Sequence, residues 1–280
     1  MSLPPANTAH QDAPQPPDRD ALVRQRSVAK YARRAAAYDA SCGPTMPIRA
    51  RAVALLRLAP GERVLDVGCG TGTFACLLAR RGLDVIGLDP AGASLQVARH
   101  KAGADRVRWI EGEPAALPPL DADLATLTGN VAQVFLEDAA WIQALRGIRG
   151  ALAADGLLVF ETRDPARAAW LRWTPQRTAR TIQAPGAGTL RTWCQVTQVD
   201  GPFVDFRWTF EFEADGARLV SSSRLRLRGR SEIEASLACS GFLVVDVLDA
   251  PDRPGEGWVF VARARGAAVS PLSHRCLTAV

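Results

Sequence analysis

A glycine-rich stretch, LDVGCGTGTF at residues 65–74, constrains the fold of this chain more than any other feature. Gly68, Gly70 and Gly72 occupy alternate positions between a short apolar run, RVLDV (63–67), and the helix-like run that follows. Glycines in such a loop let the backbone turn tightly and approach a ligand closely. A glycine loop between a strand and a helix is typical of ligand-binding α/β sheets, in which the site lies beyond the carboxyl ends of the strands.

The alternation of apolar strands and helices continues along the chain. After the loop, the predicted strands are DVIGLD (84–89), VRWIEG (107–112), DLATLT (123–128) and LLVFET (157–162), and residues 136–154 are predicted to be helical. Near the end, Ser231 and Glu234 form a candidate capping box for a helix, followed by the strands FLVVDVLD (242–249) and GWVFVARAR (257–265). The pattern predicts an α/β, Rossmann-like, doubly wound seven-stranded sheet covered on both faces.

Between the fifth predicted strand and the last predicted helix, apolar and polar residues alternate with a period of two. Phe206, Trp208, Phe210 and Phe212 alternate with polar residues, and Asp-Gly pairs at 200–201 and 215–216 are typical of hairpin turns. We therefore predict an inserted antiparallel β subdomain over residues 176–230, acting as a substrate cap or an interface. Its aromatic face either packs on the α/β body or forms a homodimer interface. The other predicted boundaries are a disordered tail over 1–20, N-terminal helices over 21–60, the core over 61–175, the last helix and two strands over 231–265, and a tail over 266–280.

Composition narrows the functional class. The chain has 280 residues, 48% of them hydrophobic, with no long uninterrupted apolar run, so we expect no membrane span. Residues 1–20 lack a signal-peptide pattern, and the six cysteines form no C-x-x-C pair, which together predict a reduced cytoplasmic protein. Although the net charge is +5, Lys30 and Lys101 are the only lysines, which indicates an arginine bias rather than a nucleic-acid surface. A basic run over 21–38 fits a solvated helix face better than an anion-binding surface.

The glycine spacing of the loop differs from that of dinucleotide-binding loops. The dinucleotide fingerprint is G-x-G-x-x-G, whereas Thr73 here occupies the place of its third glycine. Asp66 precedes the loop, and Asp89 ends the second strand, where a carboxylate can accept hydrogen bonds from ribose hydroxyls.

The motifs VLDVGCGTGTF, GLDPAGASL and IEGEPAALP together resemble the class I S-adenosylmethionine-dependent methyltransferase family, of a bacterial small-molecule type, over roughly residues 45–165. The resemblance implies S-adenosyl-L-methionine as cofactor and N-terminal helices that fold over it as a lid. It places the methionine part on Asp66 and the glycine loop, the ribose on Asp89, the adenine amine near Glu113 and the sulfonium near Asn130. The cofactor-binding residues predicted in this way are Asp66, Gly68, Cys69, Gly70, Thr71, Gly72, Asp89, Pro90, Glu113, Pro114, Thr128 and Asn130.

Candidates for the acceptor pocket are the residues expected at the same end of the sheet. They are Asn130, Gln133, Phe135, Arg163 and Tyr38, with Tyr31, Glu161, Trp170 and Trp173 nearby in the predicted arrangement. Tyr38 is equally compatible with packing, and the two tryptophans with core positions. Arg163 either pairs with Asp164 or Glu161, or faces the pocket and indicates an anionic acceptor.

The residues favour in-line methyl transfer to a small molecule. Asn130 lacks the Pro-Pro-aromatic sequence common among methyltransferases of nucleic acids and protein amino groups, so no nucleic-acid partner is expected. No metal-ligand spacing occurs, and His100 fits a solvated helix end, so neither a metal site nor a general base is predicted. Cys69 is expected to fill the turn rather than act as a nucleophile. Two alternatives remain: an aminocarboxypropyl transferase that uses the same cofactor, and a non-catalytic binding module.

Overall fold

The computed structural model describes residues 58–184 and 188–265. Two sheets organise this part of the chain, one of seven strands and one of four. The predictions for the N-terminal tail and lid helices, including Tyr31 and Tyr38, lie outside the described residues, as does the predicted tail over 266–280.

The seven-stranded sheet has the strand order β10-β11-β5-β4-β1-β2-β3. The first five strands in the chain are mutually parallel, whereas β11 runs antiparallel to β5 and β10 antiparallel to β11. This confirms the predicted Rossmann-like sheet. The strands are β1 Arg63–Val67, β2 Asp84–Asp89, β3 Val107–Glu111, β4 Ala122–Leu127, β5 Leu152–Arg163, β10 Phe242–Asp249 and β11 Gly257–Ala264.

Helices cover both faces of this sheet, and a separate apolar cluster lies on each side. One cluster centres on Trp141, Phe160 and Phe260, with the rings of Phe160 and Phe260 stacked at 5.3 Å. The other packs Phe74 and Leu78 against the opposite face. The described α-helices are α1 Thr73–Ala79, α2 Gly92–Arg99, α3 Val131–Val134, α4 Asp138–Ala151, α5 Pro175–Thr178 and α6 Arg230–Cys239.

Two boundaries differ from the sequence prediction. The helix predicted over 136–154 ends at Ala151, because Leu152 pairs with Ala122 and so begins β5. The predicted capping box at Ser231 and Glu234 is wrong. Helix α6 begins at Arg230, and the Glu232 carboxylate accepts a hydrogen bond from the Gly229 backbone N–H at 3.3 Å.

The inserted sheet is antiparallel, with the order β6-β7-β8-β9, as predicted. Its strands are β6 Arg180–Ala184, β7 Gly188–Asp200, β8 Phe203–Phe212 and β9 Arg218–Arg226. The predicted aromatic face turns inward: Phe210 is buried, and Phe206 makes an edge contact with Trp173 at 5.2 Å. Phe206, Trp208 and Phe212 remain partly exposed, so this face is only partly covered within the monomer, and the homodimer interface stays a prediction.

Two arginines at the end of β9 attach the inserted sheet to the α/β body. Arg226 donates to the Leu136 carbonyl at 2.9 Å, and Arg228 donates to the Phe135 carbonyl at 2.9 Å. Both form ion pairs with Asp138, and burial lowers the pKa of Arg228 to about 10. The inserted sheet is therefore held beside α3, the helix that follows β4.

Within residues 58–184 and 188–265, no helix is both long and apolar enough to cross a bilayer. Cys69, Cys76 and Cys194 are free thiols.

Candidate active site

The glycine loop follows β1 in a left-handed backbone conformation. Gly68, Gly70 and Gly72 have φ of 68°, 56° and 73°, which side-chain-bearing residues rarely adopt. A Cβ at Gly68 would lie 2.6 Å from Val131, and one at Gly72 would lie 2.4 Å from Trp109. A Cβ at Gly70, in contrast, would meet nothing within 4 Å. The outer glycines are therefore required for packing, and the central one faces open space where a ligand can approach.

Asp89, at the end of β2, holds this loop. Its Oδ2 accepts a hydrogen bond from the Gly70 backbone N–H, and its Oδ1 accepts one from the Ala91 N–H, both at 2.8 Å. Asp89 is only 8% exposed, and burial raises its pKa, while the two backbone donors oppose the rise. Each carboxylate oxygen keeps a second lone pair, so the predicted ribose contact is compatible with the observed role.

Three polar side chains lie beneath and beside the loop. Asp66 is buried, and its Oδ1 accepts a hydrogen bond from Thr126 at 3.2 Å. Lys101 donates to Thr71 at 3.1 Å and to Thr73 at 2.6 Å. The sequence reasoning missed Lys101, because only the packing of α2 beside α1 places the end of α2 near these threonines.

The end of β3 presents two acids where the sequence singled out one. Glu111 lies opposite Asp89 in the sheet register, and its carboxylate rests on the start of α2, 2.7 Å from where a Gly92 Cβ would lie. Glu113 precedes the short 3-10 helix Pro114–Ala116 and accepts a hydrogen bond from Ala116 N–H through its backbone carbonyl at 3.1 Å. The position of Glu111, next to the end of β2, makes it a second candidate for the adenosine edge of the site.

Cys69 is oriented into the protein. Its sulfur lies 3.1 Å from where a Gly87 Cβ would stand, on the neighbouring strand. Burial raises the pKa of the thiol far above its usual value, with a further contribution from Asp66 and Asp89. A protonated, enclosed thiol is unsuited to nucleophilic attack, which supports the predicted turn-filling role.

The loop after β4 connects the glycine loop to β5. Gly129 and Asn130 are both left-handed, with φ of 75° and 69°, and Val131 then packs against Gly68. The Asn130 backbone N–H donates to the Glu161 Oε1 at 2.7 Å. Asn130 thus lies at the meeting point of β1, β4 and β5, the place predicted for the reacting centre.

Two amide side chains at this place have polar atoms without a hydrogen-bond partner among the described residues. The Asn130 Oδ1 is enclosed and accepts nothing. Gln133 is only 1% exposed, yet neither its Nε2 nor its Oε1 has a partner. Buried polar groups are normally paired, so an unpaired amide beside a cofactor loop indicates a ligand contact.

The other acceptor candidates have partners of different kinds. Phe135 is partly buried and packs against Trp141 at 5.6 Å between centroids, so it lies at the edge of the core, and its place in the acceptor pocket stays a prediction. Glu161 forms an ion pair with Arg253, whose pKa burial lowers to about 10. Arg163 pairs with neither Asp164 nor Glu161 in the structure. Its guanidinium lies over the Trp173 ring, 4.9 Å from the centroid.

Within the described part of the chain, no group of three or more His, Cys, Asp or Glu is placed to bind a metal ion.

Comparison with protein families locates the domain. Residues 64–156 match the family model described as a methyltransferase domain, and residues 18–97 match that of protein-L-isoaspartate(D-aspartate) O-methyltransferase. The first match covers β1 to β4 and the start of β5.

Similarity to individual proteins is partial. The malonyl-[acyl-carrier protein] O-methyltransferase of Serratia marcescens is 32% identical over 105 residues, which is 38% of this chain and 41% of that protein. A 23S rRNA (uracil(1939)-C(5))-methyltransferase of Alkalilimnicola ehrlichii is 38% identical over 90 residues, 31% of this chain and 20% of that protein. The chain thus spans less than half the length of these curated relatives.

Among solved structures, one with S-adenosylmethionine bound matches nearly the whole chain. It is CalS10, an amino pentose methyltransferase from Micromonospora echinaspora, with a TM-score of 0.56, 22% identity, and coverage of 91% of this chain and 99% of that one. At this identity the likeness establishes the fold. Residues 64–156 are thus similar to a methyltransferase domain, and the chain has the same fold as a methyltransferase that binds S-adenosylmethionine.

Proposed function

We propose that this protein transfers a methyl group from S-adenosyl-L-methionine to a small-molecule acceptor. The observation that carries the proposal is the junction of β1, β4 and β5. A glycine loop, anchored by Asp89, lies there beside Asn130 and Gln133, and the Asn130 Oδ1 and both amide atoms of Gln133 have no hydrogen-bond partner among the described residues.

The residues present fit the cofactor. Asp66, the backbone of the loop from Gly68 to Gly72 and Asp89 would hold its methionine and ribose parts, and Glu111 or Glu113 its adenine edge. When bound, the cofactor supplies a sulfonium-activated methyl group that can be displaced in line. Since the donor is already activated, holding both reactants in position is the main task of the chain, worth on the order of 7–11 kcal/mol at best.

The acceptor side supports a small molecule. β9 is attached beside α3 by Arg226 and Arg228, so the inserted sheet borders the helix that carries Gln133. A site bordered by two parts of the same chain suits a compact acceptor better than a folded macromolecule. The fold likeness to an amino pentose methyltransferase is consistent with this class.

Glu161 is assigned a positioning role. Its Oε1 accepts the Asn130 N–H and its other oxygen faces Arg253, so both oxygens are engaged. It thereby holds the Asn130 backbone in its left-handed conformation at the reacting edge.

Methyl transfer is tested with methyl-labelled S-adenosylmethionine and a panel of small metabolites. We expect the label in the acceptor and S-adenosylhomocysteine as by-product. Label retained on 5′-methylthioadenosine would instead assign the chain as an aminocarboxypropyl transferase, and binding without turnover would assign it as a non-catalytic module.

The cofactor site is tested with Asp89→Ala. Loss of hydrogen bonds to a charged group should weaken S-adenosylhomocysteine binding by about 1–3 kcal/mol in calorimetry. Asp84→Ala, at the exposed start of the same strand, is the matched control and should leave the affinity unchanged. Equal affinities for the two variants would refute the assignment of Asp89.

A further inference from the structure

Arg163 occupies an unusual position at the carboxyl end of β5. Leu127 and Phe160 are register partners, so Asn130 and Arg163 each lie three residues beyond a paired position at the same edge of the sheet. Arg163 therefore lies on the acceptor side of the proposed site, beyond the Glu161 that holds Asn130.

The surrounding acids are committed to other arginines. Glu161 and Asp252 pair with Arg253, and Glu256 pairs with Arg172. Asp252 and Glu256 favour the charged form of Arg163 from a distance, but neither forms a salt bridge with it. Among the described residues, Arg163 is the cation of this cluster without an ion-pair partner.

The guanidinium is also enclosed and short of hydrogen bonds. Its Nε is buried and donates to no residue of the described ranges. Burial lowers the pKa of Arg163, with Arg172 adding to the decrease and Asp252 and Glu256 opposing it. One face of the group is stacked on Trp173, which holds the fork in place and leaves its edge for a ligand.

The inserted sheet lines the other side of this place. The Cys194 thiol of β7 lies near Arg163: burial raises its pKa to about 12, and Arg163 opposes the rise. Thr192, two residues earlier on the same face, is fully buried, and its Oγ1 has no partner among the described residues. Phe206 contacts the edge of Trp173 and adds apolar surface. A cation and two aromatic rings thus lie together between the body and the inserted sheet.

We propose that the acceptor carries an anionic group, a carboxylate or a phosphate, and that Arg163 binds this group at the junction of β5 and the inserted sheet. This assignment rests on the proposed function, since it places the anion beside the reacting edge of the same site. The guanidinium fork offers two parallel N–H donors, a geometry that both anions match. The acceptor then supplies the negative charge that no described residue supplies to Arg163 in an ion pair.

The proposal is tested by probe binding to the full chain saturated with S-adenosylhomocysteine. Benzoate and phenyl phosphate are compared with the neutral isostere benzamide by calorimetry. We expect at least one anion to bind more tightly than benzamide. The anion with the higher affinity indicates whether the acceptor group is a carboxylate or a phosphate. Equal binding of anions and benzamide, or no binding of either anion, would overturn the proposal.

Three variants assign the preference to Arg163. In Arg163→Gln the anion affinity should fall about tenfold to a hundredfold, whereas Arg163→Lys should retain part of it because the charge remains. Arg167→Gln is the matched control: this exposed arginine of the same segment pairs with Asp164, and its loss should leave the preference intact. An unchanged preference in Arg163→Gln refutes the assignment.

The cofactor arm of the experiment separates this proposal from the proposed function. S-adenosylhomocysteine should bind Arg163→Gln and the wild type equally. If Arg163→Gln instead loses S-adenosylhomocysteine but keeps 5′-methylthioadenosine, which lacks the carboxylate, Arg163 holds the cofactor and the acceptor assignment fails. If S-adenosylhomocysteine does not bind the wild type, the proposed function is refuted.

Discussion

The two halves of the candidate site are built in opposite ways. On the cofactor side, β1 and β2 bring together a loop whose amides and buried carboxylate bond one another: Gly68 and Cys69 donate to Leu88, and Gly70 donates to Asp89. On the acceptor side, Gln133, Thr192 and Arg163 all keep buried polar atoms without partners among the described residues. The glycine loop of the cofactor half is thus held by hydrogen bonds within the protein, whereas the acceptor half contains several buried polar atoms that a ligand can pair with.

This difference has an energetic consequence. An enclosed polar group without a partner costs about 1–3 kcal/mol of stability. The unpaired groups of the acceptor half therefore lower the stability of the protein, and a bound ligand can pair with them. The cofactor half contributes to stability. Substitutions of the same kind should therefore have opposite effects in the two halves.

The largest effect is expected within the glycine loop itself. Gly72→Ala places a Cβ 2.4 Å from Trp109 and in a left-handed backbone, so overpacking and backbone strain together should cost roughly 2–5 kcal/mol of unfolding free energy. Gly70→Ala carries only the backbone strain, about 1–2 kcal/mol, but should weaken cofactor binding because its open side faces the ligand. Denaturant unfolding and calorimetry measure the two quantities. Equal destabilisation by both variants would show that packing does not distinguish these glycines.

A matched pair of threonines tests the contrast directly. Thr126→Val removes the hydrogen bond to Asp66, a charged acceptor, and should destabilise the protein by about 1.5–3 kcal/mol. Thr192→Val replaces a buried hydroxyl that has no partner in the described structure, so stability should be unchanged or raised. Urea unfolding of both variants gives the comparison, and a similar loss in both would contradict it.

The thiols of the two halves should make stability fall at alkaline pH. Burial raises the pKa of Cys194 to about 12 and that of Cys69 further, against an ordinary 9.0, so the unfolded chain ionises first as the pH rises. The unfolded state then binds fewer protons, and stability should fall by about 1 kcal/mol per thiol between pH 9 and 10. Cys69→Ala and Cys194→Ala should each remove one part of this slope in pH-dependent unfolding. Slopes identical to that of the wild type would rule out these thiols as its source.

The smallest effect is expected at Gln133. Gln133→Met replaces an unpaired amide, only 1% exposed, by an apolar chain of similar shape, so stability should rise by about 1 kcal/mol. The same change should impair turnover through a higher KM for the acceptor, while cofactor affinity stays constant. Destabilisation would mean that the amide already has a partner in solution, and unchanged kinetics would place it outside the acceptor site.

The local parts of the fold were predictable, and the parts that depend on pairing between distant segments were not. The strands around the glycine loop follow from short apolar runs, and β1 and β2 were predicted to the residue. The start of β5 was missed, because Leu152 is drawn into the sheet by Ala122, 30 residues away in sequence. The N-cap of α6 was misplaced by two residues, since Gly229 with Glu232, rather than Ser231 with Glu234, caps the helix.

The candidate site shows the same division. Asp89 was singled out from its place at a strand end, whereas Lys101 and Glu111 were not, because their places depend on helix packing and on the pairing of β2 with β3. Phe135 was assigned to the pocket on sequence proximity, and only the structure shows that one part of its ring packs on Trp141.

The sequence by itself determined the α/β sheet, the inserted antiparallel sheet and the class of cofactor, because each follows from a local pattern of apolar period, glycine spacing or strand-end acid. Only the tertiary structure decided which polar atoms find partners. That outcome depends on how β4, β5 and the inserted sheet meet: Glu161 is used by Asn130 and Arg253, and Arg163 is left with Trp173. The partner of a buried charge is chosen by distances between segments far apart in the chain, which no local pattern encodes.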